Sequence, residues 1–129
     1  MRISIAFSGL AVALVMAACT TVPIMNVADA VVASPTGKSV SSEQVRTAIV
    51  RAGVALGWQM KDEGPNLLVG TLQLRSHTAV VEIPYSTSNY SIKYRSSINL
   101  EESGGKIHKN YTGWVQNLTK GINAQLGLL

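Results

Sequence analysis

The stretch HTAVVEIPYSTSNYSIKYRSSINL, residues 77–100, decides the fold. Its two halves alternate apolar and polar residues around a hydroxyl-rich centre, Ser86-Thr87-Ser88-Asn89. Alternation with period two gives each half one apolar face. The pattern predicts a strand from about His77 to Tyr85, a four-residue hairpin loop, and a strand from Tyr90 to Leu100. Setting Tyr85 opposite Tyr90 places Ile83 opposite Ile92 and Val81 opposite Tyr94. On the other face Glu82 falls opposite Lys93, a favourable cross-strand pair. In this register Tyr90, Ile92, Tyr94, Ile98 and Leu100 share the apolar face.

Working outward, a tight turn at Arg75-Ser76 sets Leu74 opposite His77, Leu72 opposite Ala79 and Leu68 opposite Ile83. That defines a strand from Leu67 to Arg75. Before it, Glu63-Gly64-Pro65-Asn66 reads as a turn, and a short strand runs from Trp58 to about Asp62 with Met60 opposite Leu68. The apolar sides agree without a register slip, which predicts one four-stranded antiparallel meander. The opposite face collects polar residues, among them Lys61, Arg75, Ser91, Lys93, Arg95, Ser97 and Asn99. A sheet that is polar on one side needs helices on the other side only.

Two helices are signalled. Ser41 can cap the first, with Gln44 at the capping-box position, and Val45, Ala48, Ile49, Ala52 and Leu56 keep helical spacing up to Gly57. Gly53 inside that helix lowers its propensity, which points to close packing. A second helix is expected from about His108 to Leu126, with Ile107, Tyr111, Trp114, Val115, Leu118, Ile122 and Leu126 as its apolar stripe. The fold class is therefore two-layer α+β in the order α-β-β-β-β-α, with both helices on the apolar sheet face. Ile24 to Ala33 reads as an additional edge strand or an extended lead-in.

The N-terminus is different in kind. Met1 and Arg2 precede an apolar, uncharged run from Ile3 to Ala18, which is short for a permanent span. The run closes with Val15-Met16-Ala17-Ala18-Cys19, around the chain's single cysteine. Small residues before a cut site mark a processed export signal. The five residues resemble a bacterial lipobox, with Met16 where Leu is usual. The resemblance implies a signal peptide over residues 1–18, acylation of Cys19, a tether over residues 19–23 and one periplasmic domain over residues 24–129. Thr20 stands where an inner-membrane retention Asp would be, which implies the periplasmic face of the outer membrane. A lone exported cysteine has no disulfide partner, which fits acylation.

Composition excludes several classes. The formal charge of +4 is modest and its lysines and arginines are scattered, so no basic run or aromatic platform marks a nucleic-acid binder. No ligand spacing for metal appears around His77 or His108. Glu101 and Glu102 are adjacent, so they point apart and make a poor acid–base pair. Ser86, Thr87 and Ser88 lack a His and Asp pattern that would activate a nucleophile. No enzyme, cofactor or metal is expected.

The runs Gly57-Trp58-Gln59-Met60, Tyr90-Ser91-Ile92-Lys93-Tyr94, Ile107-His108-Lys109-Asn110-Tyr111 and Trp114-Val115 resemble a family of small proteobacterial outer-membrane lipoproteins in which no catalytic residues are known. The resemblance covers most of the mature chain and implies export and anchoring only. The expectation is a non-enzymatic interaction module for another envelope protein or a cell-wall polymer. Its expected surface is Lys61, Arg75, Lys93 and Arg95, with an exposed strand edge as the other route. The alternative is a carrier of a lipid or glycan fragment, with a cleft lined by Trp58, Tyr94 and Trp114.

Overall fold

A computed structural model of the chain describes Ser4, Gly9 and residues 20–129. The expected signal peptide and Cys19 lie outside the described residues, apart from Ser4 and Gly9. The element order is β1 (Thr21–Pro23), β2 (Val27–Val31), α1 (Ser42–Ala55), β3 (Gln59–Gly64), β4 (Leu67–Leu74), β5 (His77–Pro84), β6 (Asn89–Ile98), β7 (Lys106–His108) and α2 (Asn110–Leu126). The class is α+β, with two helices, a five-stranded antiparallel sheet in the order β2-β6-β5-β4-β3, and a separate two-stranded pair, β1-β7.

The four-stranded meander is joined by further strands toward both ends of the chain. Residues within Ile24–Ala33 form β2, the edge strand of the two readings offered for them, which pairs with β6 and makes the sheet five-stranded. The expected tether is also partly folded, because Thr21–Pro23 pair with Lys106–His108 as β1 and β7. Ile107 and His108 therefore belong to a strand rather than to the start of α2, although Ile107 is fully buried as expected.

The central register follows side-chain pairing. Leu68 faces Ile83, Leu72 faces Ala79 and Leu74 faces His77. Tyr85 bridges to Tyr90, Val81 faces Tyr94 and Glu82 faces Lys93. Met60 faces Gly70 rather than Leu68, a two-residue shift that keeps it on the inner face.

The expected absence of register slips does not hold. Val81 pairs with Tyr94 but Val80 pairs with Ser96, so Arg95 is an extra residue in β6. A bulge reverses the alternation beyond it. Ser97 then stands opposite inward-facing Ala79, and its hydroxyl lies 2.8 Å from the Tyr94 hydroxyl. Ile98 moves to the outer face opposite Thr78 and is 64% exposed, whereas it was expected inside. A second irregularity, at Ala28 and Asp29, lets the Asp29 N–H donate to the Ser91 hydroxyl, so Ser91 keeps its place on the face of Lys93 but is covered by β2.

Both helices share one core cluster with the inner sheet face. Val45, Ile49 and Ala52 of α1 and Tyr111, Val115, Leu118 and Ile122 of α2 join Leu68, Val81, Ile83 and Ile92 there. The helices meet closely at Ala52 and Gly121, where an added Cβ would lie 3.4 Å from the Ala52 Cβ. The capping box at α1 is complete: Ser41 Oγ accepts the Gln44 N–H at 3.1 Å, and Gln44 Oε1 accepts the Ser41 N–H at 2.9 Å. Ser41→Ala is expected to cost about 1 kcal/mol, read as a lowered melting temperature. An unchanged melt would show that the α1 start is held by packing alone.

Candidate functional site

Among the described residues the outer face of the sheet carries no helix, since the buried side chains of α1 and α2 pack on the inner face. One row of side chains crosses this open face in register: Lys61 of β3, Val69 of β4, Glu82 of β5 and Lys93 of β6. Adjacent strands lie about 4.8 Å apart, so the two lysines stand roughly 14 Å apart across the row. Val69 is only 8% exposed although no described helix is layered over it. Its neighbours in the row, Lys61 and Glu82, have long stems that can lie across it.

Arg95, the extra residue of the bulge, follows inward-facing Tyr94 and projects beside this row. Its NH1 donates to Glu63 Oε2 at 2.5 Å and its Nε lies 3.8 Å from Glu82 Oε1. Glu63, hydrogen-bonded to the guanidinium, raises the Arg95 pKa, and so does the charge of Glu82. Arg95 is therefore matched within the fold. Lys61, Lys93 and Arg75 form no ion pair among the described residues. Arg75 lies in the β4–β5 turn with a φ of +57°, at the rim rather than on the sheet face. The four expected surface residues are thus divided into two free lysines on the open face, one paired arginine among them, and one arginine at the edge.

A second charged contact clips the inner side. Arg46 of α1 grips Asp62 of β3 through two bonds, 2.8 Å and 2.6 Å. The hydrogen bonds from Arg46 hold the Asp62 carboxyl below its ordinary range. Both groups are solvent-exposed, so the pair orients α1 on the sheet more than it stabilises the fold.

The three expected cleft aromatics have separate surroundings. Trp58 is 3% exposed and packs over Gly70. Tyr94 meets Tyr111 edge to face at 5.6 Å. Trp114 lines a groove of about 720 Å³ between the N-terminal segment and α2, together with Val22, Pro23, Met25 and Lys109. Sequence reasoning missed this groove, because β1 is too short to show periodicity and Val22 and Pro23 read as tether.

The candidate chemical groups are held in local structure. His77 Nδ1 lies 2.7 Å from the Asn99 carbonyl oxygen, which makes that nitrogen the donor. His108 Nδ1 accepts the Asn110 N–H at 3.2 Å. Ser86 Oγ accepts the N–H groups of Ser88 and Asn89, closing the β5–β6 turn. Among the described residues there is no cluster of three His, Cys, Asp or Glu side chains able to hold a metal ion. No helix of the described residues is long and apolar enough to cross a membrane. Comparison with protein-family models, curated proteins and solved structures finds no match.

Proposed function

We propose that this chain is a lipid-anchored protein of the bacterial envelope, held in the outer membrane through acylated Cys19, and that its domain is a non-enzymatic interaction module. The observation that carries the reading is the open sheet face, where Lys61 and Lys93 stand on either side of Glu82 without an ion pair among the described residues. Two unpaired ammonium groups at a fixed separation suit a partner with spaced carboxylates or phosphates, in an envelope protein or a cell-wall polymer. Exposed Ile98 adds an apolar contact on the same face. The free edge of β3 offers strand addition as a further route.

The test is in-cell crosslinking of the full-length protein followed by identification of what it holds. Lys61→Glu with Lys93→Glu is expected to lower capture of the dominant partner at least tenfold while leaving the thermal melt near that of the parent. Arg95 is left unchanged in this test, because reversing it would set it against Glu63 and Glu82 and perturb the fold. Cys19→Ser should release the protein from the membrane fraction. Undiminished capture by the double variant would remove the open face from the reading, and a Cys19→Ser form that stays with the membrane would remove the anchor.

A further inference from the structure

The groove beside Trp114 lies at the point where the chain leads to Cys19. The Thr20 carbonyl accepts the Lys109 N–H at 2.8 Å, and Thr21 pairs with His108, so the residue directly after Cys19 is already tied into the folded domain's hydrogen bonds. A lipid on Cys19 would therefore hold the domain against the bilayer without a flexible spacer. The groove that adjoins this point is apolar in Val22, Pro23, Met25 and Trp114, and among the described residues Lys109 is its only charged lining residue. The acids of the preceding turn, Glu101 and Glu102, are not among the lining residues, and Glu101 is occupied by the Thr20 hydroxyl at 3.2 Å. Helix α2 contains no acidic residue, and its outward side continues through Lys120.

An apolar hollow with a tryptophan, one lysine and no carboxylate fits the headgroup zone of an anionic bilayer. Tryptophan favours the membrane–water interface, and a lysine there interacts with lipid phosphate while its stem stays apolar. We infer that this groove is the surface on which the domain rests against the membrane, with Trp114 seated in the headgroup layer of an anionic phospholipid bilayer. The inference rests on the lipid-anchor reading above. It also orients the domain. The groove uses the side of α2 that turns away from the sheet, so the open sheet face with Lys61 and Lys93 points away from the bilayer and is free for a partner.

The experiment uses the acylated full-length protein in vesicles of phosphatidylethanolamine and phosphatidylglycerol. Flotation reads anchoring, and quenching of tryptophan emission by bromine-labelled acyl chains reads contact. Trp58 is buried, so the difference between the parent and Trp114→Phe isolates Trp114. The Trp114 emission is expected to fall by about half, as for a residue at the interface. Asn117→Glu, a carboxylate placed in the groove, should reduce that quenching while flotation is unchanged. Protein that floats with Trp114 unquenched overturns the seat and leaves the anchor standing. Failure to float overturns the anchor, and the seat with it. Trp114 emission that changes only on adding envelope proteins assigns the groove to a protein partner and overturns the bilayer as its occupant.

Discussion

Above pH 10 the folded domain is expected to lose stability steeply, because three core tyrosines resist ionisation. Burial pushes the hydroxyls of Tyr85, Tyr90 and Tyr111 above the ordinary value of 10.0, and most strongly that of Tyr111. Tyr111 is fully buried and its hydroxyl has no hydrogen-bond partner among the described residues, while Tyr90 donates to Asn123 Oδ1 at 2.7 Å. Below the unfolded value both states keep the phenol proton, and the full stability is present. Above it the unfolded chain releases protons that the folded chain retains, so stability falls until the folded pKa is passed. The slope approaches about 1.4 kcal/mol per pH unit for each tyrosine still protonated in the fold. Melting temperatures followed from neutral to strongly alkaline pH should therefore fall together with a delayed phenolate absorbance. Tyr111→Phe should make the alkaline fall shallower. At neutral pH it should hold or gain stability, since it removes a buried polar atom without a partner. A melting temperature that stays level through the tyrosine range would contradict the burial of these hydroxyls.

The same tyrosines mark how far the sequence could be read. The β5–β6 register follows from alternation on both sides of a hydroxyl-rich turn, which is local information. Tyr85, Tyr90 and Val81 accordingly sit where pairing requires. The bulge at Arg95 has no local signal, because Arg95-Ser96-Ser97 continues the alternation as well as an unbroken strand would. Arg95 at the bulge contacts Glu63, 32 residues away, a contact that no window of a single strand contains. Ile98 was misplaced for that reason alone.

β7 was misread for a different reason. Ile107 and Tyr111 are four residues apart, which is also helical spacing, so the buried Ile107 fits either element. What separates strand from helix is β1, paired with β7 across the chain, and Gly104 and Gly105, whose φ angles of +57° and +80° turn the chain before it. The site divides along the same line. Lys61, Glu82 and Lys93 were legible as one polar face because period two is local. Which of the cations is already neutralised depended on long-range contacts.

Gly70→Val is expected to destabilise the domain by roughly 1–3 kcal/mol, the usual range for overpacking a core. Gly70 sits in the interior of β4 on the inner face, where glycine weakens a strand on propensity alone. Packing accounts for it. A Cβ there would lie 3.3 Å from the Met60 Sδ, 3.3 Å from the Trp58 Cε3 and 3.3 Å from the Val81 Cγ2, all at once. Val81 is fully buried and Trp58 nearly so, and neither ring nor branched side chain can move without opening the core. Valine adds two methyl groups beyond that already tight Cβ. Gly53→Ala provides the internal contrast. The three atoms nearest to its Cβ would all belong to the Met60 side chain, which is half-buried, unbranched and able to swing aside. Removing a mid-helix glycine also favours α1 by about 1 kcal/mol, so Gly53→Ala should stay near the parent. The two variants press on the same methionine from different elements. Only at Gly70 do the other neighbours have nowhere to go. Thermal melts, with Trp58 emission reporting its displacement, read the difference. Equal melting temperatures for both variants would show that the layer beneath Trp58 is looser than the close approach at Gly70 requires.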